Sequence, residues 1–324
     1  MTSRRRFARH AASLAACPVL PLSSHAAEAT ALTQVIVGFP PGGAVDMAAR
    51  WVAPLLSARL GEPFEVVNMP GESGNIATAR VVAAQPDGRT LLMSGPVNAI
   101  NTTLFPNLPF DFGKDLAAVA GLYSVPLVVE VHPALPAQSV ADFIRLARLR
   151  PGEVRVGYAG VGTPQHVGIE LFNVMAGVSL KLVPYAGSAP ALLDLLAGRI
   201  DAMFDPTPSS IDHLRAGRLR ALGVTGKSRL SGLPGVPVVA DVVPGYEAGS
   251  WFGLCAARGT PGDSLNMLNA GVNDALRHPA LQLRLEALGA QAMPGSPADF
   301  AGLVASETRK SARVIEVTGI KVRA

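Results

Sequence analysis

The chain has 324 residues, 49% of them apolar and only 16% charged, which is material for two cores at about 100–200 residues per domain and excludes a disordered polyelectrolyte. Aromatic residues make up 5%, too few for a base-stacking platform. The formal net charge of +4 is local: Arg4, Arg5, Arg6 and Arg9 all precede the first acid, Glu28, and the remainder is balanced at 24 basic to 24 acidic residues, so the body has no electrostatic basis for binding nucleic acid.

Residues 1–27 read as an export signal, basic at the start and apolar or small from Ala11 to Leu22, with small residues at Ser24 and Ala26 for cleavage. Ala27-Glu28-Ala29 offers a second cleavage point. Ser3-Arg4-Arg5-Arg6-Phe7 resembles a twin-arginine signal, and Leu14-Ala15-Ala16-Cys17 resembles a lipoprotein box with a short apolar run, a minor alternative. No later run reaches the about 18 apolar residues of a membrane span, so the expectation is a soluble periplasmic protein with no direct membrane insertion. With Cys17 in the leader, Cys255 is left without a disulfide partner; inside the strand-like run 251–256 it reads as a small buried apolar residue rather than a catalytic thiol.

Beyond the leader, strand-like and helix-like segments alternate. Strands are predicted at 34–39, 64–68, 90–94 and 127–131, with helices at 46–60 and 76–84 between the first three. A helix at 140–149, a strand at 154–158, a helix at 165–176 and a strand at 180–183 follow. Helices at 189–197 and 210–216 close on Gly198 and Gly217, each followed by a strand, at 200–204 and 219–225. Near the C-terminus the pattern turns helical, at 261–276, 279–288 and 297–317, with proline at the first helical position after Thr260 and Ser296. This alternation predicts an α/β protein built on mostly parallel sheets flanked by helices.

The informative stretch is Phe39-Pro40-Pro41-Gly42-Gly43-Ala44-Val45-Asp46, where a strand runs through a glycine pair straight into a helix. Glycine lets the backbone approach a ligand, and the first amides of a helix are unpaired donors at a positive dipole end, so such a turn cradles an anion without a basic side chain. A tight turn with no ligand is the alternative for this stretch alone. Tyr158-Ala159-Gly160-Val161-Gly162-Thr163-Pro164-Gln165-His166 repeats the arrangement, and Tyr185-Ala186-Gly187-Ser188 is a third turn of this kind. Gln165 stands where a dinucleotide fingerprint needs its third glycine. Several such turns at the carboxyl ends of strands imply one crevice lined by helix N-termini, suited to a carboxylate.

Enzyme motifs fail in detail. Gly71-Glu72-Ser73-Gly74-Asn75 lacks the last glycine of a nucleophile elbow, and Ala221 replaces the first glycine of a P-loop ending at Gly226-Lys227-Ser228. His132, His166, His213 and His278 are dispersed without metal-ligand spacing, so neither a metal nor a cofactor is expected. His166 reads as a loop-orienting residue, and Asp205, at the end of a strand, either faces the crevice or is an ordinary loop acid before Pro206. The competing reading is an exported α/β hydrolase or transferase using His166 with Asp205 or Ser188.

In this order the loops resemble the receptors of tripartite tricarboxylate transporters, the Bug proteins. The resemblance is carried by Phe39–Gly43 with Asp46, Asn68-Met69-Pro70-Gly71 with Gly74-Asn75-Ile76, and Pro86-Asp87-Gly88-Arg89-Thr90. It continues through Gly160–Thr163 with His166, Val183–Pro190, Met203-Phe204-Asp205 and Trp251-Phe252-Gly253-Leu254. It implies a two-lobed periplasmic-binding-protein fold of type II character, with the ligand cleft between lobes. Lobe 1 would be 28–126 plus 248–324 and lobe 2 127–247, with the tail helices packed on lobe 1. It further implies a small organic-acid ligand, release without covalent chemistry, and a membrane permease or sensor domain as partner. The ligand-binding residues it implies in lobe 1 are Phe39, Pro41, Gly42, Gly43, Asp46, Ser94 and Asn98. In lobe 2 they are Gly160, Gly162, Thr163, His166, Tyr185, Ala186, Gly187, Ser188 and Asp205. Val45, Val161 and Pro164 depart from commonly polar or different positions, which points to a more apolar pocket.

Overall fold

The computed structural model describes residues 32–321; the export signal, both cleavage points and Cys17 lie outside them. The elements alternate as follows: β1 (Thr33–Val37), α1 (Ala44–Leu60), β2 (Phe64–Asn68), α2 (Asn75–Val82), β3 (Thr90–Ser94), α3 (Pro96–Leu104), α4 (Phe112–Asp115) and β4 (Leu116–Val131). Next come α5 (Val140–Leu149), β5 (Arg155–Tyr158), α6 (Pro164–Ala176), β6 (Lys181–Pro184), α7 (Ser188–Leu196), β7 (Ala202–Pro206), α8 (Thr207–Arg215) and β8 (Arg220–Val224). The chain ends with β9 (Gly249–Ala257), α9 (Gly262–Leu276), α10 (Pro279–Ala287), β10 (Gln291–Ala292) and α11 (Pro297–Thr318).

The sheet is mixed. Within the βαβ units the pairing is parallel, β1 with β2 and β3, and β5 with β6 and β7. Antiparallel pairing enters through two strands: β9 beside β3 and β4, and β4 beside β7 and β8. β4 is the spine. Its residues up to Pro126 pair with β9, and from Leu127 onward it pairs with β7 and β8. A proline at the switch suits a strand leaving one ladder for another, since it has no N–H to donate. The sequence reading placed a strand only over 127–131. The stretch before it, Ala-Ala-Val-Ala-Gly-Leu-Tyr, is mostly small residues with a single β-branched side chain, too little to announce a strand, yet it is held there by pairing with β9.

The two stretches of β4 also divide the core. Val119, Leu122, Tyr123 and Val125 pack with β1, β3, β9 and helices α1 and α9. Leu127, Val129 and Val131 pack with Phe143, Phe172 and Phe204, whose rings meet in tilted and edge-to-face pairs at 5.2–6.5 Å. Helices start where their chemistry dictates: the Ser139 hydroxyl accepts from the Asp142 N–H to open α5, and Ser296 with Asp299 forms a reciprocal cap on α11. α9 lies against α1 and β4, and α11 against α3 and β4. The end of α10 behaves differently: the Ala287 carbonyl accepts from Arg215, and the Leu288 carbonyl beyond it from the Thr207 hydroxyl. No helix among the described residues is long and apolar enough to cross a membrane.

Packing is tight where β9 passes under α11. A Cβ on Gly253 would fall within the Phe300 ring. Gly253→Ala is therefore expected to destabilise the protein by about 1–3 kcal/mol in urea unfolding, with near-complete recovery in Gly253→Ala/Phe300→Leu. Equal loss in the double variant would show that the clash is not the cause.

Candidate functional site

Five helices begin at the carboxyl ends of strands around one cleft. They are α1 behind Gly43, α3 behind Gly95, α6 behind Thr163, α7 behind Gly187 and α8 behind Pro206. The cleft spans about 430 Å3 of space, part of it open to solvent. Its first wall is Phe39, the α1 start from Gly43 to Val45, the α3 start from Gly95 to Val97, and Ser250 and Phe252 of β9. The facing wall is Ala159, Thr163 to Gln165, Ser188 and Pro206. None of these lining residues is cationic.

The caps show which amides are free for a ligand. On α6 the Thr163 hydroxyl accepts from the His166 N–H, and Pro164 has no N–H to offer. On α1 and α7 the N-cap is glycine and no side chain caps the helix start; α7 has no acidic residue in its first turn, whereas α1 carries Asp46 there, bonded to the Gly42 N–H. These two ends face each other: a Cβ on Gly43 would lie 3.8 Å from the Ser188 Cβ and 3.9 Å from the Ala189 nitrogen.

Of the residues expected from the sequence, the structure places Phe39, Gly43, Thr163 and Ser188 on the cleft wall. The others stand behind it or at its rim. Gly42, at φ 87°, turns the chain into α1 and gives its N–H to Asp46. Asp46 is buried and also accepts from Arg50 and Asn68, so its carboxylate is a strut. Burial works against that charge, but Arg50, Gly42 and Asn68 together hold its pKa below the ordinary value. Pro41 is exposed. Ser94 donates to the Gly253 carbonyl, and the buried Cys255 thiol, its pKa pushed up to about 11 by desolvation, donates to Ser94. Asn98 accepts from the Gly95 N–H and donates to Thr78, bracing the α3 start.

In the second half, the Gly160 carbonyl accepts from Thr163. Gly162, at φ 78°, passes so close to Asn101 of α3 that no side chain fits. Gly187 likewise has no room, since a Cβ would stand 2.8 Å from Pro40. Tyr185 turns away from the cleft to donate to Asp194, and Ala186 is exposed. Asp205 is fully buried behind the wall, where it accepts from Ser188 at 2.8 Å, Gln165 at 3.2 Å and Ser209. Desolvation raises its pKa, and the Ser209, Ser188 and Gln165 donors pull it back. Glu130 on the neighbouring strand, also fully buried, is pushed well above the carboxylate range by desolvation and then by Asp205.

The sequence reading missed the α3 start, Gln165, Ser250 and Phe252 as lining residues. Gly95-Pro96 after a strand was a legible signal of another helix N-terminus. Val45 and Pro164 do line the cleft and make it apolar, whereas Val161 packs into the cores on either side.

His166 lies against Tyr158, ring centroids 4.6 Å apart and nearly parallel, and its Nδ1 accepts from the Gly162 N–H at 3.3 Å. Burial lowers its pKa to about 4. No hydrogen bond joins it to Ser188 or Asp205 among the described residues, and the Ser188 hydroxyl donates to Asp205, so the histidine is not placed to take that proton.

The profile of the tripartite tricarboxylate transporter family receptors matches residues 48–320. The chain belongs to that family. Protein BugT of Bordetella pertussis is 35% identical over 294 residues, 90% of each chain. The solved structure of R. palustris Rpa4515 with adipate superposes with a TM-score of 0.87 at 38% identity, over 90% of this chain and 98% of that one. The periplasmic binding protein BugD superposes at 0.86 with 27% identity, over 89% and 98%. The chain is thus a solute-binding receptor of the periplasmic type, not an enzyme.

A histidine whose pKa is lower folded than unfolded binds its proton more readily after unfolding, so stability falls as pH drops from about 6.5 to 4. The loss expected from His166 is about 3 kcal/mol over that window. Unfolding of His166→Gln followed from pH 7 to 4 should show a correspondingly flatter profile. Parallel profiles would place the acid sensitivity elsewhere.

Proposed function

We propose that this receptor closes around a small organic acid, holds its carboxylate on the N-termini of α1 and α7, and hands it unchanged to a tripartite membrane transporter. The observation that carries this reading is the pair of uncapped helix ends facing across a cleft whose lining has no cation. A relative of 38% identity is known with adipate, a dicarboxylate. The apolar lining from Phe39, Val45, Pro96 and Phe252 suits the hydrocarbon body of such an acid.

The moving parts in this reading are lobe 1, 28–126 plus 248–324, and lobe 2, 127–247. The change of partner along β4 between Pro126 and Leu127 supports a crossing there. The close approach of Gly43 to Ser188, and of Gly162 to Asn101, supports a ligand gripped by both lobes, and only a ligand touching both favours the closed state. The Ala287 and Leu288 carbonyls then act as a catch on lobe 2. Export to the periplasm through the leader of residues 1–27 completes the reading.

Calorimetric titration with adipate and a panel of mono-, di- and tricarboxylates is expected to find a saturable ligand that is recovered unaltered. Gly43→Val, which fills the gap in front of Ser188, should weaken that ligand at least about 100-fold with little change in melting temperature. Unchanged affinity would show the site to be elsewhere, and turnover abolished by His166→Ala would overturn the receptor reading.

A further inference from the structure

Gln165 is 4% exposed, lines the cleft, and spends its amide nitrogen on two acceptors: Ser188 Oγ at 2.9 Å and Asp205 Oδ1 at 3.2 Å. Both acceptors are fixed in that role. Asp205 Oδ1 accepts from Gln165 and from the Ser188 hydroxyl, which gives its proton to that oxygen at 2.8 Å. Ser209 holds the other Asp205 oxygen. Turning the Gln165 amide over would set its carbonyl against a buried carboxylate, so the orientation is locked from behind. The carbonyl oxygen Oε1 is then the edge left for the cleft, and it accepts from no group among the described residues.

The geometry points to Gln165 as a specificity-determining residue that demands a hydrogen-bond donor on the ligand, a hydroxyl or amino group beside the carboxylate, with Asp205 as its positioning residue. This rests on the carboxylate reading of the cleft and narrows it. The N–H groups at the starts of α1 and α7 read only the acid, and every organic acid satisfies them alike. Gln165 Oε1 is the opposite kind of group, an acceptor with its own donors used up. A bare methylene there leaves it buried and unpaired, and a second carboxylate oxygen is repelled by it and by Asp205 behind it. A hydroxyl satisfies it, and sites built to bond a ligand hydroxyl discriminate strongly against the analogue without one.

The test is a set of matched acids differing by one hydroxyl: phenylacetate and mandelate, 3-phenylpropionate and 3-phenyllactate, succinate and malate. Each is titrated into the native protein, Gln165→Met and Asp205→Asn, with near-UV circular dichroism confirming the fold. In the native protein the hydroxylated member of at least one pair is expected to bind about tenfold tighter or more. Gln165→Met should bring that ratio within about threefold of unity. Asp205→Asn, whose carboxamide can pair with either edge of Gln165, should lower it while Gln165 is still present. A general loss of packing would weaken both members together and leave the ratio unmoved. Native protein that binds acids without preferring the hydroxylated member overturns this inference alone, as does a ratio that survives Gln165→Met. Failure of every acid to bind overturns the carboxylate reading and this inference with it.

Discussion

An anion needs compensation, and among the described residues that line this cleft none is cationic, so helix-end N–H groups are its main source. The helices α1 and α7 start behind glycines, have no side-chain cap, and point their first N–H groups at the same space from opposite walls. Partial charge of about half a unit at each end, in a pocket lined by Phe39, Val45, Pro96 and Phe252, is screened far less than it would be on the surface. Fixed dipoles also cost no reorganisation when the ligand arrives. A lysine or arginine in the same place would bring a flexible stem, a strong hydration shell and a need for its own partner while the site is empty.

Much of the surrounding polar chemistry serves to hold those dipoles in place. Asp46 ties the Gly42 turn to Arg50 and Asn68; Asn98 ties the Gly95 turn to Thr78; His166 ties the Gly162 turn and rests on Tyr158. Each of these side chains is the third residue of the helix whose start it braces, three or four positions beyond the glycine it holds. Repetition of this device at α1, α3 and α6 explains why residues that look reactive in the sequence, an aspartate and a histidine beside glycine turns, are struts. It also explains the glycines themselves, since Gly162 and Gly187 sit where the two walls approach too closely for a side chain.

What the sequence made legible is what local rules govern. Glycine turns between a strand and a helix, proline at a first helical position, hydroxyl caps and glycine stops located most of the helices and four of the five that open on the cleft. α3 escaped because its residues, Pro-Val-Asn-Ala-Ile-Asn-Thr-Thr-Leu, are poor helix formers that gain their order from packing against β9 and α11. The first part of β4 escaped for the same reason, since its small residues become a strand only beside β9. Gln165 was set aside because it breaks a glycine pattern. Its role depends on Ser188 and Asp205, 23 and 40 residues away, and no local pattern encodes that triangle.

The most direct measurement is a crystal structure of the protein grown with the tightest-binding acid from the carboxylate panel. The expected result is a carboxylate within hydrogen-bonding distance of main-chain N–H groups at the starts of both α1 and α7, with the acid chemically intact and no arginine or lysine in contact. An acid lodged elsewhere, or held in this cleft chiefly by a basic side chain, would contradict the account.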